Sequence, residues 1–343
     1  QLLNDDAMLE PTYLQEVVAF MDAHPSYASA SGRIFRWAFD RADSATRGKT
    51  DVIDSLGLER FASGKVAERF RGVPLVKISE RALMALNMFG VSGCLPMYRR
   101  SAVLTSSPDT TLFDPTFVSY KEDVEIAYRF AAIGMHSAIV HTATAYHRRT
   151  FTRNAHAQQT AAVQLQSYRN HLWILLMHWP LRDVVARAWA LLPFEFAKMC
   201  YWLLRRPSVV VDVWAQTRHE WATILRKRER MLLLRETHAS GHFLPLVHPP
   251  APYTFAIITV SHNDLNERYF TSLKAAIVKT KERVQLIVVD NESQAYVANE
   301  LVDQYFETDA VTILRHGDYG FGRSSNRGIR EARAQYVLFL NPD

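Results

Sequence analysis

Beyond residue 250 the apolar positions fall into a clear order. Four short runs, Phe255–Val260, Val284–Val289, Val311–Leu314 and Tyr336–Leu340, are rich in β-branched residues. Unbroken runs of this length suit strands buried on both faces. Between them apolar residues step by four: Leu265, Tyr269, Leu273 and Ile277, then Val297, Leu301 and Tyr305. That step marks one face of a helix. Strands alternating with helices predict a parallel sheet with helices on both sides, so residues 251–343 are expected to form half of a doubly wound α/β domain.

The pattern changes twice upstream. Residues 1–150 read as mixed α and β. Pro11 opens a helix with Leu14, Val17, Val18 and Met21 on one face. The polar stretch Asp40–Arg71 reads as a long surface excursion, Met88–Arg99 as a strand running through Gly93, and Tyr120–Ile133 as a helix stopped by Gly134. An extended stretch then reaches His147. Residues 151–250 are Trp-rich and helical, with basic residues dotted through His171–Leu181, Val184–Leu192 and Met199–Leu204 and gathered at Arg226–Arg230. Two readings of this middle stay open: a helical subdomain packed on the sheet, or an amphipathic face lying in a membrane interface. His242–Tyr253, with four prolines, reads as the linker into the α/β half.

Composition narrows the class only a little. A chain of 343 residues with 48% hydrophobic and 22% charged residues is ordinary for a globular protein. Two cysteines, Cys94 and Cys200, exclude a disulfide framework and fit a reducing, cytoplasmic compartment. The net charge of +5 permits anionic partners without choosing one. Uncharged apolar runs fall short of the ~18–20 residues that cross a bilayer. Gln1 is not an initiating Met, and the chain reads as a segment of a longer product.

Four groups of residues carry candidate chemistry. Ser261-His-Asn263 and Asp290-Asn291 follow the first two strands of the α/β half, at the carboxyl ends where open sheets bind ligands. Gly317-Asp-Tyr-Gly-Phe-Gly322, with Arg323 and Asn326, leads glycines into a helix start that favours an anion. It matches neither the dinucleotide fingerprint nor a phosphate-binding Walker loop. An apolar run breaking into Asn-x-Asp occurs twice, at Asn4/Asp6 and Asn341/Asp343, and such carboxylates can hold a hard divalent ion against phosphates. Glu122-Asp123 opens a helix, and His147 lies beyond the next extended stretch. Each group alone is equally an ordinary turn, cap or buried polar residue.

Together, and in their order, they resemble the family-2 inverting glycosyltransferases of the GT-A fold, above all the rhamnosyltransferase-like branch of envelope polysaccharide synthesis. Ile257–Asn263, Ile287–Asn291, Gly320–Ile329 and Leu338–Asp343 are similar to that family's nucleotide-binding half. Leu2–Asp6, Val91–Cys94 through Arg99-Arg100, Phe113–Pro115, Tyr120–Ile126, Tyr146-His147 and Tyr168-Arg-Asn170 are similar to its acceptor half and tail. The resemblance covers nearly the whole chain. It implies an α/β GT-A fold, Rossmann-like, with its halves in permuted order. An acceptor half at 1–150 comes first, then the helical tail and linker at 151–250, then the nucleotide half at 251–343. A tandem of two enzymes clipped on both sides, or a circular permutation, would each give that order. Since both chain ends supply the same strand, one copy is expected to be displaced.

The resemblance further implies roles. Ser261, Asn263, Asp290, Asn291, Gly320, Gly322, Arg323 and Asn326 bind a UDP- or dTDP-sugar. Asp343 or its duplicate Asp6, helped by His147, holds Mg²⁺ or Mn²⁺. Asp123 is the base that activates a hydroxyl of a glycan or lipid-linked acceptor, with Glu122 supporting it. The implied location is cytoplasmic, with peripheral contact at the inner face of the plasma membrane if the middle segment is interfacial. Both Asn-x-Asp motifs lack the first Asp of the commoner Asp-x-Asp form, and Glu292 stands where the family more often has Gly. Two other classes stay open: a nucleotide-binding fragment without turnover, and a nucleic-acid-binding module. Against the second, the basic residues are not gathered on one face with interleaved aromatics, so no nucleic-acid partner is expected.

Overall fold

Alternation along the strands decides how the layers form. In the strand Tyr253–Ser261, Phe255 and Ile257 face one side while Ala256, Ile258 and Val260 face the other, and every one of them is buried. The computed structural model describes residues 2–4, 7–38, 48–83, 86–107, 111–148, 161–238, 252–261, 267–280, 282–291, 311–316 and 321–341. The helix expected at 297–305 and most of the proline-rich linker lie outside them.

In the N-terminal segment the elements are β1 (Leu2–Asn4), β2 (Ala7–Leu9), α1 (Tyr13–Ala23), β3 (Tyr27–Trp37), β4 (Lys49–Ser55), β5 (Leu58–Arg60), β6 (Val66–Glu68), α2 (Glu80–Leu83), β7 (Asn87–Met88), β8 (Met97–Arg99), α3 (Arg100–Ser106), α4 (Glu122–Ala132) and β9 (His136–His147). Helices α5 (Ala161–His178), α6 (Leu181–Ala186), α7 (Ala188–Arg205), α8 (Pro207–His219) and α9 (Trp221–Thr237) follow. The C-terminal segment contributes β10 (Tyr253–Ser261), α10 (Glu267–Thr280), β11 (Val284–Asn291), β12 (Val311–His316), α11 (Phe321–Glu331) and β13 (Ala334–Asn341).

Among the described residues, both segments share one sheet of eleven strands, in the order β12-β11-β10-β13-β8-β3-β9-β2, with β1, β4 and β7 attached beside it. Strands β12, β11, β10 and β13 run parallel. The seam between the segments is β13 against β8, antiparallel, with Leu338 opposite Met97. This mixed α/β sheet is compatible with a GT-A, Rossmann-like fold. Helices α1 and α10 cover one face through Leu14, Val17, Met21, Phe270 and Leu273. On the other face lie α3, α4 and α11, through Val103, Ile126, Phe130 and Ile329. Gly328 lets α11 sit close, since a Cβ there would fall 2.3 Å from Ile258 Cγ2.

The duplicated motif does not compete for one slot. The C-terminal copy, β13, is the full-length strand between β10 and β8. The N-terminal copy, β1, lies alongside it in parallel and in register: Leu2 with Phe339, Leu3 with Leu340, Asn4 with Asn341. Beta8 covers the first part of β13's edge and β1 covers the last.

Two readings of the N-terminal segment need correction. The stretch 40–71 is not simply a surface excursion. Strand β4 pairs with β3 and buries Ile53, Asp54 and Ser55, and Leu56 and Leu58 are buried after it. Its polar residues misled because some of them point inward. Likewise 88–99 is not one strand: β7 ends at Met88, β8 starts at Met97, and Gly90, Gly93 and Pro96 bring a loop between them.

The middle segment has both a packed and an exposed side. Trp173, Ile174, Met177 and Trp179 are buried against Val124 and Tyr128 of α4, and burying such a side chain contributes about 1.5–3 kcal/mol. On α6 and α7, Leu181, Trp189, Phe196 and Leu204 face outward, with Trp189 75% and Leu204 87% exposed. Among the described residues, no helix is long and apolar enough to cross a membrane.

Candidate functional site at the carboxyl edge of the sheet

Parallel strands end on one edge, and the chemistry gathers there. Ser261 and Asp290 are register neighbours at the ends of β10 and β11, and both are buried. Asn291 is paired with His316, and Asn341 with Asn4. Since β8 runs against β13, the loop entering β8 lies at this same edge. That loop contains Gly93. Asn263, Gly320, Asp6 and Asp343 lie outside the described residues.

Asp123 sits in the first turn of α4 and is fixed by two backbone donors. Gly93 N–H donates to its Oδ2 (3.0 Å) and Val124 N–H to its Oδ1 (2.8 Å). The first bond explains the glycine: a Cβ on Gly93 would lie 3.3 Å from that same oxygen. A carboxylate accepts in about four directions, so these bonds orient Asp123 and still allow it to take a hydroxyl proton. Burial pushes the neighbouring Glu122 carboxyl up to about 8, and the charge of Asp123 adds to this against opposing backbone hydrogen bonds. At neutral pH Glu122 therefore holds its proton. Adjacent carboxyl groups in unlike environments can take unlike roles.

A strained loop delivers this pair. Tyr120 and Lys121, directly before α4, both adopt left-handed backbone with φ of 71° and 69°, a conformation that costs a non-glycine residue energy and must be held by its surroundings. The holding group is Asn170 on α5, fully buried. Its Nδ2 donates to the carbonyls of Ser119 and Tyr120, each at 2.8 Å. Arg169 donates to the carbonyl of Thr116, and Lys227 on α9 bonds both oxygens of Asp114 at 2.6 Å. From below, Arg129 donates to the carbonyls of Thr111 and Leu112 and to Glu125. Burial alone would raise the Glu125 carboxyl, but Arg129 and His178 outweigh it and hold it at about 2.

The same loop joins the two segments. Asn326 on α11 accepts from Phe113 N–H (3.1 Å) and donates to Phe113 C=O (2.8 Å). Its buried amide is thus engaged in a two-bond splice across the chain. Gly322, at the start of α11, packs against the same loop near Phe117 O, and Arg323 beside it is exposed.

His147 ends β9 opposite Ala7, one residue from Asp6. Its Nδ1 donates to Asp54 Oδ2 at 2.7 Å. One ligand atom each from Asp54, Cys94 and His147 lie within 4.8 Å of one another, close enough to hold a metal ion. The donor set itself decides what fits. A thiolate suits a soft ion, whereas Mg²⁺ and Mn²⁺ prefer oxygen with at most an imidazole. A carboxylate on Nδ1 is the usual partner of an imidazole that ligates through Nε2, so Asp54 fits the role of orienting His147 better than that of a ligand. Reading along the chain missed Asp54, although an Asp inside Val52-Ile-Asp-Ser-Leu56 is unusual for a strand and was the available signal.

Residues 256–343 match the family model described as Glycosyl transferase family 2. No curated relative matches the chain. The matched segment spans β10 to β13, the strands whose ends form the candidate edge, and it supports glycosyltransferase activity. A glycosyltransferase binds a nucleotide-sugar donor and an acceptor, and enzymes of this family often use divalent metals.

Proposed function

We propose that this chain is an inverting hexosyltransferase that moves a sugar from a UDP- or dTDP-sugar onto a hydroxyl of a glycan or lipid-linked acceptor, in rhamnosyltransferase-like fashion, during cell-envelope polysaccharide synthesis. On this reading one GT-A-type domain is assembled from segments in permuted order, the acceptor side at 1–150 and the nucleotide side at 251–343, with the helical segment 151–250 between them. The observation that carries it is the shared sheet. Its seam puts the ends of the family-matched strands and the loop that fixes Asp123 on one edge.

The donor's nucleoside diphosphate would lie over Ser261, Asn263, Asp290, Asn291 and the turn Gly320–Arg323, with Asn326 holding the floor of that turn. A divalent ion held by His147 with Asp6 or Asp343 would neutralise the departing diphosphate. Asp123 accepts the acceptor's hydroxyl proton as that oxygen bonds to the anomeric carbon and the bond to the diphosphate breaks on the opposite face. Glu122, protonated at neutral pH, keeps a second negative charge away from that carboxylate. The exposed apolar face of α6 and α7 would rest against the inner membrane surface, near a lipid-linked acceptor.

Calorimetric titration with UDP and dTDP, with and without Mn²⁺, tests the donor side. We expect metal-strengthened binding of one nucleotide by the wild-type chain. Asp123→Asn should keep that affinity and lower transfer about 10²–10⁴-fold, the usual share of a general base. A folded chain that binds neither nucleotide, or an Asp123→Asn variant that loses nucleotide binding, would overturn the assignment.

A further inference from the structure

A cavity of about 290 Å³ opens between the N-terminal segment and helices α5 and α7. Three lysines from three different elements line it: Lys65 before β6, Lys121 at the left-handed position before α4, and Lys198 on α7. His171, Tyr168 and Trp202 complete its wall. Two acidic groups answer them in part: the charge of Asp123 reaches Lys121, and Glu195 reaches both Lys121 and Lys198. Glu195 accepts from His171 Nε2 at 2.6 Å and lies 4.0 Å from Lys198. Among the described residues neither Lys65 nor Lys121 makes an ion pair. Lys198 also lies over the Tyr168 ring, 4.7 Å from its centroid.

This crowding is costly without a counter-charge. Burial lowers Lys198 to about 7, with Lys121 adding to the shift against Glu195. Lys121 is lowered as well, by burial first. An anion in the cavity would offset the mutual repulsion of the half-buried Lys121 and Lys198, with the exposed Lys65 at its rim. Three amines converging on one concave wall from three elements fit a multiply charged oxyanion better than a single carboxylate. Lys121 is also the residue immediately before Glu122-Asp123, so whatever the cavity binds is tied to the proposed base through one strained backbone position.

We infer that this cavity binds the phosphate or diphosphate group of the acceptor, with Lys65, Lys121 and Lys198 as its ligands. The inference deepens the proposed transfer reaction and rests on it for the word acceptor, though not for the anion. Helix α7 carries both the cavity wall at Lys198 and Trp202 and the exposed apolar residues Phe196 and Leu204. Tyr201 of α7 lines the cavity and is itself half exposed, so an apolar tail on the anion would leave the cavity along it.

The test is calorimetry of the full chain with pyrophosphate and with farnesyl diphosphate, in the absence of any sugar donor. Wild type should bind at least one of them, and Lys65→Gln/Lys198→Gln should weaken that binding at least tenfold while leaving UDP and dTDP affinity unchanged. Tighter binding of farnesyl diphosphate assigns the anion to a lipid-borne acceptor; equal or tighter pyrophosphate assigns it to a soluble phosphate. The single variant Lys65→Gln, on the cavity rim, gives the same direction with less risk to folding. Absence of binding by either probe, or equal binding by wild type and the double variant, would overturn the inference. Because no turnover is read, failure of glycosyl transfer would show separately, as lost nucleotide binding with anion binding intact.

Discussion

Segments 253–341 and 7–147 contribute strands to the same sheet, yet they hold their chemistry differently. In the C-terminal segment Ser261, Asp290, Asn291 and Asn341 stand on strand ends, and ladder pairing alone places them side by side. In the N-terminal segment Asp123 follows a strained loop, and three separate regions grip that loop: α5 through Asn170, α9 through Lys227 and α11 through Asn326. A ladder needs no outside help to fix its ends. A loop with two left-handed residues does, and the helical middle supplies much of it. The contrast assigns the helical segment a task within the fold, that of holding the loop that leads into Asp123, whatever else its exposed face contacts.

The sharpest way to break the comparison is to cut the splice. Asn326→Ala would remove both of its hydrogen bonds to the buried backbone of Phe113, at about 1–3 kcal/mol each. Urea unfolding should show a loss of about 2–6 kcal/mol, already present without nucleotide. A loss seen only when nucleotide is bound would make Asn326 a ligand contact rather than a joint. Next comes Asn170→Ala, expected to cost about 1–3 kcal/mol by stranding the carbonyls of Ser119 and Tyr120. It should reduce turnover while sparing nucleotide affinity, because it loosens only the side of the site that carries Asp123. Parallel loss of both would show that the two sides are not separable.

Smaller effects sharpen the picture. Glu122 has its carboxyl raised from the ordinary 4.5 to about 8 in the fold. The folded state therefore binds the proton more tightly than the unfolded chain does. The associated stability is fully present below about pH 4.5 and is lost as pH rises through about 8. Glu122→Gln should flatten the decline in unfolding free energy between pH 5 and pH 8; an unchanged slope would place the cause elsewhere. The least effect is expected at the seam's polar rim, where the Tyr336 hydroxyl donates to Asp22 and accepts from Arg99 at 3.5 Å. Tyr336→Phe should cost about 0.5–1.5 kcal/mol, and a larger loss in thermal unfolding would mean the rim matters more than the ladder beneath it.

Legibility in the sequence follows the same division. The runs at 255–260, 284–289, 311–314 and 336–340 fall on β10 to β13, since each strand's pattern depends only on its own residues and on being covered on both faces. Pro11, Gly134 and the step at Leu14, Val17, Val18 and Met21 marked α1 and the end of α4 in the same local way. Asp54 was lost in a polar stretch because its burial depends on His147, 93 residues away. The loop at 89–96 passed for a strand because apolar residues in a tightly packed loop look like a buried strand when only spacing is read. Asn326 stood out as part of a glycine-led helix start, but its bond to Phe113 spans 213 residues and leaves no trace in either neighbourhood.

By itself, then, the sequence determined the alternation of strands and helices, the residue types at the strand ends and the duplicated Asn-x-Asp run. These are short-range properties, set by period and propensity within a few residues. The tertiary structure alone decided that β13 meets β8, that β1 lies beside its own duplicate, and that Gly93 and Asn170 hold Asp123 and its loop in place. Those outcomes depend on which distant backbone groups find partners once the core closes, and no local pattern encodes that pairing.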